Sequence, residues 1–352
     1  MSAPLTIALD AMGGDNAPGM VLKGAAVAAR RFPEVNFMLF GDERRMARML
    51  KRLRRLRNRV TVHHTEDVVT NEDRPSAALR HGRKSSMRLA IDAVHEGRAA
   101  GVVSAGNTGA LMGMAKLVLR TLPGIDRPAI AGYFPSQRGE TVMLDLGANL
   151  DCSAENLVQF AVMGDVFART VLGVQKPTVG LLNVGSEESK GHDEVRRAAA
   201  ILRESDLLAF HGFVEGDDIT RGTTDVIVAD GFSGNVALKT AEGTAKLYSE
   251  FLSHTFKSSL AAKLGYMLAR RALNKLRARL DPRRYNGAMF VGLNGIVVKS
   301  HGGTDTIGFA NAIGVAVDMA SNGFNDVITK ELEAIRAAQQ RPHPLRESLA
   351  AS

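Results

Sequence analysis

A chain of 352 residues with 45% hydrophobic and 23% charged side chains is long enough for one large α/β unit or two smaller ones. Its formal charge of +8 calls for an acidic partner, without choosing among nucleic acid, anionic membrane, acidic protein and phosphorylated ligand. Trp is absent, which argues against an aromatic stacking surface for single-stranded nucleic acid, and the lone Cys152 allows no intrachain disulfide or Cys-based zinc site.

Residues 1–4 lead straight into a strand without a charged and then apolar leader, so no secretory signal is expected. No apolar run reaches the ~18 residues of a spanning helix. Strands are expected at residues 6–9, 35–41, 60–64, 100–104, 130–134, 141–146, 178–184, 208–214, 225–228 and 295–299. Helical patterns fall between many of them, at 17–31, 43–56, 85–97, 107–122, 154–172, 193–204, 234–256 and 304–319. This alternation predicts an α/β fold with a mainly parallel sheet sandwiched by helices. The back-to-back runs 130–134 and 141–146 predict one antiparallel pair inside it. Residues 1–340 read as a single catalytic unit and 341–352 as a flexible tail.

In open α/β sheets, ligands bind beyond the carboxyl ends of the strands. The first strand runs into Asp10, Gly13, Gly14 and Asp15, where glycines admit a ligand close to the main chain. Later strands end in Ser104, Gly106, Asn107 and Thr108; in Asp145 to Asn149; in Asn183, Gly185 and Lys190; in Ser233, Asn235 and Lys239; and in Lys299 and His301. One such turn is ordinary capping chemistry. The set predicts a convergent oxyanion site built from amides, hydroxyls, Lys190, Lys239, Lys299 and His301. Asp10, Asp15 and Asp145 have the chemistry to hold Mg²⁺ together, but acidic strand ends more often cap helices, and no metal is expected. Cys152 reads as a small buried group, not a nucleophile. G-x-G-x-x-G after the first strand, the P-loop, H-E-x-x-H and G-x-S-x-G are all missing, so no nucleotide or other cofactor is expected.

Two cationic segments break the alternation. Residues 44–59 hold nine Lys and Arg, with Arg48, Arg52 and Arg55 among them. Residues 251–284 form a basic amphipathic helical arm with Leu260, Leu264, Met267 and Leu268 at helical spacing. The arm suits an anionic membrane surface or a dimer contact, and both readings stand.

The segments DAMGGD (10–15), SAGNTGA (104–110), DLGAN (145–149), NVGSEESKG (183–191), FSGNVALK (232–239) and GIVVKSHG (295–302) together resemble the bacterial phosphate acyltransferase family. The resemblance implies a fold like the isocitrate/isopropylmalate dehydrogenase and phosphotransacetylase group, usually as a homodimer. It implies transfer of a fatty acyl group from acyl carrier protein to inorganic phosphate for phospholipid synthesis, with no cofactor. The acyl phosphate would pass to a membrane glycerol-3-phosphate acyltransferase. That places the protein in the cytoplasm, peripherally membrane-associated, with no nucleic-acid partner. Carrier proteins of this kind are acidic, which makes Arg48, Arg52 and Arg55 a candidate docking face; a solvated helix face is the competing reading. A dehydrogenase of the related fold and a non-catalytic binder of anionic surfaces are the alternatives.

Overall fold

A computed structural model describes residues 4–205, 208–279, 281, 283 and 286–339. Its strands are β1 (Thr6–Asp10), β2 (Asn36–Gly41), β3 (Val60–His64), β4 (Gly101–Ser104), β5 (Ala129–Ser136), β6 (Gly139–Leu144), β7 (Thr178–Leu182), β8 (Ala209–Val214), β9 (Val226–Val228), β10 (Ala288–Val291) and β11 (Ile296–Lys299). Among the described residues they form one sheet in the order β3-β2-β1-β4-β11-β10-β5-β6-β9-β7-β8.

Strands β3, β2, β1, β4 and β11 are parallel to one another, and so are β6, β9, β7 and β8. Between these halves, β10 is antiparallel to both β11 and β5, and β5 is antiparallel to β6. The expected antiparallel pair is therefore β5 with β6. Three reversals leave the two parallel halves pointing in opposite directions. β10 escaped the sequence reading because four residues, Ala-Met-Phe-Val, are too short to show a period.

The helices are α1 (Gly19–Arg31), α2 (Glu43–Arg52), α3 (Pro75–His81), α4 (Ser86–His95), α5 (Thr108–Leu119), α6 (Ala154–Val171), α7 (Asp193–Arg203), α8 (Asp218–Arg221), α9 (Gly231–Lys257), α10 (Leu260–Arg279), α11 (Thr306–Ser321) and α12 (Phe324–Gln339). They cover both faces of the sheet, which is why its strands read as continuous apolar runs. Successive side chains alternate between two cores: Ile7 and Leu9 enter one and Ala8 the other, as do Val298 and Val297. Residues of α1, α6, α11 and α12 fill the first core, and those of α4 and α5 the second.

Starts of helices follow side-chain caps. Asn107 caps α5, Asp230 caps α9, Asp305 caps α11, and Ser153 with Asn156 closes a capping box on α6. The expected arm is two helices. The Ser259 hydroxyl accepts from the Ala262 amide and starts α10 afresh after α9 ends at Lys257. Ala237, Leu238 and Ala241 of α9 pack on the second core. From residue 242 onward α9 has no buried residue, and none is buried in α10 up to residue 275. Phe256 and Tyr266 pack across the hairpin with tilted rings, their centroids 5.4 Å apart. Leu280 and Arg284 of the expected arm, and the expected tail 341–352, lie outside the described residues. Among the described residues, no helix is long and apolar enough to cross a membrane.

Candidate active site

The carboxyl ends of β1, β4 and β11 are neighbours, and a cleft of ≈ 470 Å³ opens there. Asp15, Asn71, Gly106 to Gly109, Lys239, Lys299 and His301 to Gly303 line it.

Beneath the cleft lies Asp10, 1% exposed. Its Oδ1 accepts from Ser86 Oγ at 2.6 Å and the Met12 amide at 3.3 Å, and its Oδ2 accepts from Ser104 Oγ at 2.7 Å. Burial pushes the Asp10 carboxyl up, and these donors oppose the shift. Ser104 Oγ in turn accepts from the Gly106 amide at 3.0 Å. A side chain on Gly13 would lie 2.4 Å from Asp10 Oδ2 and 2.8 Å from the Gly106 nitrogen, so only glycine fits there. Gly14 takes φ +96°, which a side chain would strain.

Several expected ligand groups are thus occupied by one another. Ser104 and the Gly106 amide serve Asp10 and the turn. The Asn107 side chain caps Ala110 at 3.0 Å and also donates to the carbonyl oxygens of Thr70, Asn71 and Asp73, tying loop 70–73 to α5. Asp15 Oδ1 accepts from Asn71 Nδ2 at 3.0 Å.

The groups open to the cleft are other members of the expected set, Thr108, Lys239, Lys299 and His301, together with Gly109. Thr108 and Gly109 are exposed in the first turn of α5, where amides lack helical partners and favour an anion. His301 is exposed, and its Nδ1 accepts from the Gly303 amide at 3.1 Å, which puts the proton of a neutral ring on Nε2. Asn286 holds this turn, accepting from the His301 amide at 2.9 Å and donating to Ser300 Oγ at 2.8 Å. Lys239 reaches the cleft from α9, paired with Glu242 at 2.9 Å. Lys299 is 9% exposed, and its Nζ donates to the Ser300 carbonyl. Desolvation pulls its ammonium down to about 8, against the opposing pull of Asp10 and Asp15.

The other expected residues lie elsewhere. Because the sheet reverses, the carboxyl ends of β6, β9 and β7 open on the opposite edge from those of β1, β4 and β11. β7 is five strand positions from β11, about 24 Å at ordinary spacing. Asn183 Nδ2 donates to the carbonyls of Gly185 and Lys190 at 3.1 and 3.0 Å, and Lys190 pairs with Glu187 at 2.8 Å. Ser233 donates through its amide and hydroxyl to Asp230, and Asn235 lies beside Gly147. Asp145 accepts from the amides of Ile130, Ala148 and Asn149 and from Asn149 Nδ2. One Mg²⁺ cannot span Asp10 and Asp145 in this arrangement, and among the described residues no three of His, Cys, Asp and Glu cluster as metal ligands. The Cys152 thiol is half-buried and pushed up to about 11, chiefly by desolvation, which leaves little nucleophilic thiolate.

Sequence reasoning missed Ser86, Asn71 and Asn286. Ser85 and Ser86 open a helix and read only as caps; Ser85 is the cap, and Ser86 turns inward to Asp10. No local signal marks Asn71 or Asn286.

Solved structures define the class of fold. Phosphotransacetylases from Streptococcus pyogenes and Staphylococcus aureus superpose with TM-scores of 0.61 and 0.59. Sequence identities are 17% and 16%, over 91% and 90% of this chain and 95% and 94% of theirs. This is the phosphotransacylase fold. The sequence matches the Fatty acid synthesis protein family over residues 5–327. A phosphate acyltransferase of Rhodospirillum centenum is 67% identical over 96% of both chains, and one of Paramagnetospirillum magneticum is 62% identical over 98% of this chain and 99% of its own. The chain belongs to the phosphate acyltransferase family and is an acyltransferase with phosphate as a substrate.

Proposed function

We propose that the protein transfers a fatty acyl group from acyl carrier protein to inorganic phosphate, by direct attack of phosphate bound in the cleft on the thioester. The observation that carries this reading is the convergence of the α5 amides, Lys239 and His301 on one cleft, in a chain whose relatives are phosphate acyltransferases. A thiolate leaves readily, so the task is to bring an anion to the carbonyl and to stabilise the oxyanion that forms. Thr108, Gly109 and Lys239 hold phosphate in this reading. His301, with Nε2–H free to donate, serves the oxyanion. Asp10 acts by fixing Ser104 and the Gly13 turn. Lys190, Asn183, Gly185, Ser233 and Asn235 lie outside the cleft and hold the loops of the opposite edge.

Incubation with palmitoyl-acyl carrier protein should give acyl phosphate only when phosphate is present. An acyl-enzyme trapped in the absence of phosphate would overturn direct attack. Arg48, Arg52 and Arg55 are exposed on and just after α2 and form no ion pair among the described residues, which supports a docking face for an acidic carrier.

The hairpin of α9 and α10 supports a homodimer contact, a peripheral membrane contact, or both, in the cytoplasm. Leu260, Leu264, Met267 and Leu268 are exposed by 83%, 56%, 66% and 81%, far more than a monomer in water favours. Flotation with anionic vesicles, beside sedimentation, of Leu260→Glu/Leu264→Glu separates the two. Loss of the dimer with vesicle binding intact would remove the membrane reading. A membrane contact would also bring the product to a membrane glycerol-3-phosphate acyltransferase.

A further inference from the structure

We infer that Lys299 is the buried ammonium that grips the attacking phosphate on the floor of the cleft and carries its proton to the departing thiolate. The inference rests on the phosphate-transfer reading above and adds the group that moves the proton.

Lys299 is the last residue of β11, between β4 and β10 in the middle of the sheet. Its side chain reaches the cleft yet is buried, unlike the exposed Lys239 and His301. An ammonium has three donors, and among the described residues Nζ uses one, on the Ser300 carbonyl. Among the described residues it forms no ion pair. Asp10 cannot swing to it, because Ser86, Ser104 and the Met12 amide hold both carboxylate oxygens. Asp15 is held by Asn71. A buried ammonium with open donors is costly unless a ligand completes its shell. A phosphate dianion supplies that shell, and Asp10 and Asp15 keep the amine charged while the cleft is empty.

The reaction needs such a group. Thioester plus HPO₄²⁻ gives acyl phosphate dianion plus thiol. A carbon–oxygen bond forms, the carbon–sulfur bond breaks, and its electron pair leaves on sulfur. The phosphate proton must therefore reach sulfur. Lys299 gives a proton to the thiolate and regains one from the phosphate, ending as it began. Its value of about 8 lies close to the ~8.5 of an ordinary thiol, so the transfer to sulfur is not steeply uphill. The charged and titratable groups facing it are Asp10 from β1, Asp15 from the loop before α1, His301 from the turn after β11 and Lys239 from α9.

The test compares wild type with Lys299→Met and Asp15→Asn in phosphate-dependent acyl phosphate formation, and measures phosphate binding directly by ³¹P NMR without acyl donor. Wild-type kcat/KM for phosphate should fall as pH rises through about 8, as the free ammonium loses its proton. Lys299→Met should weaken phosphate binding about thirtyfold and lower kcat about a hundredfold, leave KM for the acyl donor unchanged, and abolish that alkaline limb. Asp15→Asn removes an opposing charge, so the limb should move to lower pH; this variant keeps the test open if Lys299→Met does not fold. A folded Lys299→Met with wild-type phosphate binding and alkaline limb, or an Asp15→Asn limb that does not move, overturns the inference. Wild type that forms no acyl phosphate would instead overturn the reading beneath it.

Discussion

Replacing Ser86 with alanine removes the shortest of the three hydrogen bonds that Asp10 accepts, the 2.6 Å contact to Oδ1. What remains are the 2.7 Å bond from Ser104 and the weak 3.3 Å bond from the Met12 amide. Asp10 is 1% exposed, so bulk water does not take the vacated place. A hydrogen bond to a charged group contributes ~1.5–3 kcal/mol, and a hydroxyl-sized gap adds little, so the expected loss is about 2 kcal/mol where Asp10 is ionised. The pH dependence follows from burial. Asp10 titrates above its ordinary 3.8 in the folded chain, so its contribution to stability is fully present below 3.8 and is lost as pH rises through the folded value. Losing Ser86 pushes the folded value higher still. The damage should therefore be greatest where the carboxylate is charged, and should shrink on acidification through the folded value. Urea unfolding of wild type and Ser86→Ala, followed by circular dichroism across a series of pH values from alkaline down to acid, measures both quantities. A loss that stays the same across the whole series, or no loss at any pH, would refute the claim that Ser86 stabilises the ionised form of Asp10.

Three further outcomes are expected. Gly234→Ala places a methyl group 1.9 Å from the Asp145 carbonyl oxygen, where backbone must yield, so the melting curve should show a loss above ~3 kcal/mol or no folded protein. Charge reversal of Arg48, Arg52 and Arg55 to Glu should raise KM for acyl carrier protein about tenfold or more and flatten its salt dependence, with phosphate half-saturation unchanged in steady-state kinetics. Cys152→Ala should keep acyl phosphate formation within about twofold of wild type, and iodoacetamide should label wild-type Cys152 slowly until pH approaches about 11.

The sequence made the elements legible because strands buried on both faces, such as Val297 and Val298, leave apolar runs between capped helices. It also pointed to the strand ends as the places where chemistry sits. It showed one reversal, at the back-to-back runs 130–134 and 141–146, but not the direction of the other strands relative to it. Polarity is set by β10, four residues with no readable period, and by the long return through α9 and α10 that precedes it. With β10 unseen, Lys190 and His301 looked like members of one constellation. The distinction between a ligand donor and a structural one was hidden for a similar reason. Asn107 and Ser104 have the chemistry to bind phosphate, but their partners, loop 70–73 and Asp10, become visible only in three dimensions.

The reversal also explains the length of α9. Its cap, Asp230, sits at the carboxyl end of β9, on the edge away from the cleft. Gly234 lets the helix lie against the Asp145 carbonyl. Ala237, Leu238 and Ala241 then cross the second core, and Lys239, eight residues and about 12 Å from the helix start, arrives at the cleft. The same helix continues for 18 residues beyond Lys239, to Lys257, before the hairpin turns back. One rigid rod therefore joins three places: the loops of the far edge, the phosphate cleft, and the exposed apolar face of the hairpin. α9 is held by Asp145 and by the second core as far as Ala241, and has no buried residue beyond it. A surface or partner that captured Leu260 and Leu264 and tilted α9 would shift Lys239 relative to His301, and phosphate affinity would then be expected to respond to the hairpin. Lengthening the rod at Gly243 by one residue would rotate the hairpin by about 100° and leave Lys239 in place. Phosphate affinity that responds to hairpin ligands in wild type, and not in that variant, is the signature of this coupling.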